Sequence, residues 1–225
     1  MAAGARLRAL LARVAPAHVV LAGLVGVVVL VAVGWDTTLD RPAVGYPPRR
    51  LLDLDGELGA SAVFSAALLL LAAAAALGWA SVTATRWGVR WAALTALFFV
   101  FMASDEVVSV HERMERLTGL DWQLIYVPVV IAAAVPAVGL VFDLPDLRTR
   151  AVFLAGGAAW VGAQALEFYQ WHDDVLVHPL AIIPEEALEM LGSLLWAAAL
   201  LVAVSRGRRR AAAPSPAPMP MPPLP

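Results

Sequence analysis

Trp91-Ala-Ala-Leu-Thr-Ala-Leu-Phe-Phe-Val-Phe-Met-Ala-Ser104 runs for 14 residues without a charge and then stops on Asp105-Glu106. Two further stretches have the same build. Ala151–Leu166 has 16 uncharged residues and ends at Glu167, and Met190–Ser205 has 16 and begins just after Glu189. At about 1.5 Å rise per residue such runs cover roughly 21 to 24 Å, less than a hydrocarbon core of about 30 Å. Helices built on them cross a bilayer only if their acidic ends are drawn into it or face a wet cavity inside the bundle. Ionisable groups there are costly and mark functional sites.

The surrounding chain calls for a membrane. Its 225 residues are 61% hydrophobic with a mean hydropathy of +0.76, too apolar for an ordinary soluble domain. Apolar stretches at about 14–35, 58–85, 87–110, 122–142, 151–171 and 180–205 predict six transmembrane helices. The expected fold is an all-α integral membrane bundle over residues 1–205, followed by a basic, then Pro/Ala-rich disordered tail over 206–225. That leaves no separate soluble domain, and nothing calls for nucleic acid.

All 16 basic residues are arginines. With the N-terminus inside, 11 are cytoplasmic, and only Arg41, Arg49, Arg50, Arg113 and Arg116 face out. The positive-inside rule then puts both termini in the cytoplasm of a bacterial inner-membrane type of protein. Sixteen of the 18 acids fall on or near the outer face, all but Asp143 and Asp146. Trp35, Trp79, Trp87, Trp122 and Trp171 mark helix ends at headgroup level, whereas Trp160 and Trp196 read as packing residues. Arg6, Arg8 and Arg13 before an apolar run resemble a signal peptide, with Ala32-Val33-Gly34 as a passable cleavage site. The 22 uncharged residues from Val14 to Trp35 favour a first full span instead. No cysteine means no disulfide and no thiolate ligand.

Between the first two spans, Leu51-Leu52-Asp53-Leu54 has the pattern of a short interfacial turn or an ordered connector. Ala155, Ala159 and Ala163, with Ala158 and Gly162, offer close approach on the fifth segment, as do Ala22 and Gly26 on the first. Arg206, Arg208, Arg209 and Arg210 are placed to meet anionic lipid headgroups.

The chemistry-bearing residues gather at one depth. In Ser104–Glu115, read as one helix advancing about 100° per residue, Ser104, His111 and Glu115 share one line. Asp105, Ser109 and Glu112 share a second beside it, while Glu106 and Arg113 lie opposite. Gln164, Glu167 and Trp171 share a face of the fifth segment, with His172, Asp173 and Asp174 beyond it. Glu185, Glu186, Glu189 and Ser193 open the sixth. Carboxylates and imidazole without thiols suit a divalent Fe, Mn, Zn, Ca or Mg ion. The expected ligands are His111, Glu112, Glu115, Glu167, His172, Glu185 and Glu189, with Asp105, Glu106 and Glu112 as catalytic groups. Without a metal, the same set suits proton relay or general acid–base work. Some features have plainer readings. Glu185 and Glu186 after Pro184 are what a helix start prefers; His178 reads as a loop residue and His18 as interfacial or core. Asp105, His111 and Glu112 can also pair with Arg113 and Arg116.

Asp105-Glu106-x4-His111-Glu112 together with Glu185-Glu186-x2-Glu189 resembles a group of uncharacterised bacterial multi-pass membrane proteins. The resemblance covers about residues 95–200 and implies no particular activity. Ile183-Pro184-Glu185-Glu186 is also similar to the Pro-x-Glu-Glu motif of membrane lycopene cyclases. Here the proline is adjacent to the first glutamate, and the Asp-Glu/His-Glu segment has no counterpart, so no cyclase activity is carried over.

Three functions compete. The first is a membrane-embedded, metal-dependent enzyme acting on a lipid or other amphipathic substrate at the outer leaflet. The second is a cation- or proton-coupled transporter, which predicts acids along the whole bundle. The third is a non-catalytic accessory membrane protein whose acids bind a partner.

Overall fold

The computed structural model describes residues 16–39, 51–54, 59–172 and 175–212. Among them lie α1 (Pro16–Leu39), α2 (Ala60–Ala80), α3 (Arg86–Val108), α4 (Val110–Thr118), α5 (Trp122–Asp143), α6 (Leu147–Gln170) and α7 (Ile182–Ala212). A two-residue antiparallel ladder, β1 (Trp171–His172) with β2 (Val175–Leu176), and a 3-10 turn at Pro179–Ala181 link α6 to α7. Every α-helix but α4 is long and apolar enough to cross a membrane, which makes the six spans the composition predicts.

Side chains set several helix ends. Thr85 Oγ1 accepts from the Gly88 N–H at 2.8 Å to start α3, and Asp121 Oδ1 accepts from the Gln123 N–H at 2.8 Å to start α5. Each satisfies a backbone donor that the first turn leaves without a partner. Gly119, at φ 65°, closes α4 in the left-handed region that glycine adopts at no steric cost.

The continuous helix expected over Ser104–Glu115 is broken. Ser109 adopts φ 50°, ψ 55°, so α3 ends at Val108 and α4 leaves at a new angle. The Asp105 carboxylate causes the turn by drawing back the start of α4: its Oδ1 accepts from the His111 N–H at 3.0 Å. Side chains of this kind compete with the helical ladder for backbone groups.

At the centre stands α7. Of its apolar window 72% is buried, against 11% for α1, so α7 is the axis and α1 lies on the rim. It packs against α6, α2 and α1; α3 lies on α2, and α5 on α3. Leu69, Ala72, Phe99, Leu140, Trp196 and Leu200 form the middle of the core, with the Phe99 and Trp196 rings 4.9 Å apart. Trp160 stacks on Trp196, as their mid-helix positions predict. Leu97, Phe142, Val161 and Phe168 point outward, as lipid-facing side chains do.

Close approach of α6 to α7 rests on Gly156 and Gly192, and of the alanine stripe only Ala163 is buried. A Cβ on Gly192 would lie 2.5 Å from Trp160 Cδ1 and 2.9 Å from the Gly156 carbonyl oxygen. Ala155 and Ala158 are exposed instead. On α1, Gly23 meets Leu194 and Gly26 meets Phe64, while Ala22 is exposed. Leu54 is buried and its carbonyl accepts from Ser61 Oγ at 2.8 Å, so Leu51–Leu54 is a packed connector.

The arginine-bearing face is tied by two aspartates. Asp143 accepts from Trp79 Nε1 at 2.9 Å, Thr83 Oγ1 at 2.8 Å and Thr85 Oγ1 at 2.9 Å. Trp79 is therefore a buried structural donor, not a headgroup marker. Asp146 pairs with Arg206 and accepts from Thr149 Oγ1 at 2.9 Å. The Arg206 hydrogen bond, aided by those from Thr149, holds the Asp146 carboxyl below its ordinary value. Helix α7 runs on to Ala212, so the basic segment expected to open the tail is helical, and residues 213–225 lie outside the described residues.

Candidate functional site

Opposite the arginine face, the ends of α3 and α6 and the starts of α2, α5 and α7 meet, with α4 across them. Asp105 anchors one side. Its Oδ2 lies 3.0 Å from His111 Nδ1, and its Oδ1 accepts from the Tyr126 hydroxyl at 3.1 Å as well as from the His111 backbone. The Trp122 ring lies 4.8 Å from the His111 ring and edge-on to Tyr126 at 5.4 Å. An ionised Asp105 takes its hydrogen bond from Nδ1–H, which puts the imidazole lone pair on Nε2. Carboxylate, imidazole and phenol are thereby fixed in one unit.

Five glutamates from three helices form the other side. Glu106 of α3, Glu167 of α6 and Glu185, Glu186 and Glu189 of α7 all lie within electrostatic reach of one another. His111 acts on both Glu106 and Glu167 and so joins the two sides. Neutral donors hold the carboxylates in place. Trp122 Nε1 donates to Glu167 Oε1 at 3.1 Å, Gln164 Nε2 to Glu189 Oε1 at 3.3 Å, and Gln170 Nε2 to Glu185 Oε2. Gln123 Nε2 in turn donates to the Gln164 carbonyl at 3.4 Å, and Ser61 lies against Glu186. On this face Arg113 and Arg116 are exposed.

The structure brings together Asp105, Glu106, His111, Glu167, Glu185 and Glu189. Glu106, expected on the far side of its helix, faces the α6 and α7 carboxylates. His111, expected on a line beside Asp105, reaches it only because the chain turns at Ser109. Glu115 acts on Glu167. The side chains of Glu112 and His172, and residues Asp173 and Asp174, lie outside the described residues. Glu185 is not a solvated helix-start residue but a buried one. Among the described residues no three His, Asp or Glu side chains are gathered around one ion position.

Sequence reading passed over Tyr126, Gln170 and Ser61 and took Trp122 only as a helix-end marker. Gln170 is wholly buried, and its carbonyl also accepts from the Val177 N–H at 2.8 Å. A signal was present: Gln164, Glu167 and Gln170 recur every third residue, and Trp122 and Tyr126 are four apart on one helical face.

Fold and site together define a multi-pass membrane protein with a carboxylate-rich cluster at one end of a largely apolar bundle. The chain belongs to the family described as Domain of unknown function (DUF8692), which matches residues 19–203. No curated protein and no solved structure matches it.

Proposed function

We propose that this protein is a membrane-embedded enzyme performing general acid–base chemistry on a lipid or other amphipathic substrate at the outer leaflet of a cell membrane. The observation that carries this reading is the Asp105–His111 pair within electrostatic reach of Glu106 and Glu167, which in turn reach the glutamates of α7. Asp105 positions His111, whose Nε2 serves as the base. Tyr126 steadies Asp105, and the glutamates supply acid groups and counter-charge. A transporter needs polar groups along the bundle, but buried Ala92, Leu140 and Leu200 form an apolar layer below the site.

A divalent cation is the second part of the proposal, with Glu106, Glu167 and Glu189 as its carboxylates and His111 as its nitrogen ligand. Closing these groups on an ion takes rotamer changes, so this part has its own test. Elemental analysis of detergent-purified protein is expected to give about one equivalent per chain, lost in His111→Ala. No bound metal, and no thermal shift with Zn, Mn, Fe, Ca or Mg, overturns the cation and leaves acid–base chemistry alone. For the reaction itself, proteoliposomes containing a total membrane lipid extract are incubated and followed by mass spectrometry. Turnover that disappears in His111→Ala and Asp105→Asn supports the enzyme; unchanged lipids with protein-dependent cation flux overturn it.

The arginine count supports an orientation with both termini in the cytoplasm and the Arg208–Arg210 end of α7 beside anionic headgroups. A C-terminal reporter active only outside the cytoplasm overturns that orientation.

A further inference from the structure

Below the glutamates the polar character continues further than the charges do. Ser193 follows Glu189 by one turn of α7, and Ser65 follows Ser61 by one turn of α2. Both serines are buried, their hydroxyl oxygens are 3.3 Å apart, and Trp160 Nε1 donates to Ser193 Oγ at 3.2 Å. One layer deeper, Trp196 Nε1 and Thr95 Oγ1 are both buried and find no hydrogen-bond partner among the described residues. They share a layer, because the Trp196 ring lies 4.9 Å from Phe99, one turn along α3 from Thr95. Thr95 lies 11 residues down α3 from Glu106, about 16 Å at the helical rise.

Buried indole N–H groups ordinarily have an acceptor, and polar groups at membrane depth are satisfied inside the protein or by water in a cavity. The threonine hydroxyl also declines the bond to its own helix that mid-helix threonines commonly make. Water, as donor and acceptor, satisfies both groups at once. The lower end is sealed by Ala92, Leu140 and Leu200, all fully buried.

We infer that the glutamate cluster is the mouth of a hydrated half-channel that runs down to Thr95 and Trp196 and is closed beneath them. Its ligand is water, ordered between the Ser65–Ser193 pair and the Thr95–Trp196 layer. The inference holds whether or not the site above it is catalytic.

The chain contains no cysteine, so single-cysteine variants need no background correction. Ser193→Cys, Thr95→Cys and the control Ala72→Cys, in the fully buried apolar core, are treated in membranes with 2-aminoethyl methanethiosulfonate, which attacks only the hydrated, ionised thiol. The half-channel predicts labelling of Ser193→Cys and Thr95→Cys at least about tenfold faster than Ala72→Cys. Thr95→Cys labelled as slowly as Ala72→Cys overturns it, even if Ser193→Cys reacts. Hydrogen exchange of the indoles in the unmodified protein checks the same point without substitution. Trp196 is expected to exchange faster than Trp160, and a Trp196 indole protected more strongly than Trp160 rejects the channel.

Discussion

Asp105 and His111 are six residues apart and joined twice: the carboxylate receives the histidine backbone N–H at 3.0 Å and holds ring Nδ1 at 3.0 Å. Six residues of continuous helix would separate them by about 9 Å along the axis. The double contact exists only because Ser109 turns the chain. One carboxylate thus ends α3, starts α4 and orients the imidazole.

Asp105→Ala is expected to remove a helix cap as well as a charge, at about 1 kcal/mol, or roughly 2–4 °C in Tm for a chain of this size. Asp105→Asn keeps an acceptor for the backbone N–H and should lose less. Thermal unfolding by circular dichroism in one detergent ranks the three proteins. Equal losses in both variants would mean that charge, not capping, holds α4.

Ser109→Gly should stabilise the protein. A left-handed residue with a side chain costs roughly 1–2 kcal/mol that glycine avoids, and part of the gain returns as entropy of the unfolded chain. A rise of a few tenths to about 1 kcal/mol is expected, with Ser109→Val falling well below the wild type. Denaturation midpoints of the three proteins check the order.

Gly192→Ala is expected to cost about 1–3 kcal/mol, because the new methyl meets the Gly156 carbonyl and backbone cannot yield cheaply. Gly157→Ala is the control: its Cβ would meet only Trp196 Cζ2, at 3.9 Å. Monodispersity and Tm after purification should separate the two, and equal behaviour would place the helix crossing elsewhere.

The Asp146–Arg206 pair predicts a pH signature. Arg206 lowers the Asp146 carboxyl below the ordinary value of 3.8, so the folded state holds the ionised form more tightly than the unfolded chain does. Its contribution is present above about pH 4 and is lost as pH falls through the lowered value. Both side chains are partly exposed, which caps the effect at about 1 kcal/mol. The Tm difference between wild type and Asp146→Asn should be constant from pH 5 to 8 and shrink below pH 4. A gap that persists at the lowest pH would assign it to the hydrogen bonds with Thr149.

The span number was legible because hydropathy and bilayer thickness constrain it directly. The short charge-free runs also pointed to the acids at the ends of α3 and α6 and the start of α7, which the fold gathers at one end of the bundle. The break at Ser109 was hidden: no glycine or proline marks it, and its cause is a side chain reaching six residues along the chain. That one unseen turn displaced the predicted position of His111. Trp79 and Trp122 were misread because a tryptophan at a helix end looks the same whether its indole meets a headgroup or a carboxylate. The crossing at Gly156 and Gly192 was hidden too, because alanine stripes advertise close packing equally well and only the tertiary fit selects between them.

The buried position of α7 has a consequence for biogenesis. The helix that α1, α2 and α6 surround is made after all three, and its opening turns carry three glutamates that suit it poorly to lipid on its own. The earlier helices must therefore wait in the membrane with a slot between them, their glycine and serine faces uncovered, until the last thirty or so residues of the described fold arrive. Assembly of this bundle closes from the outside inward, and a ribosome that stops before residue 182 leaves a ring without its axle.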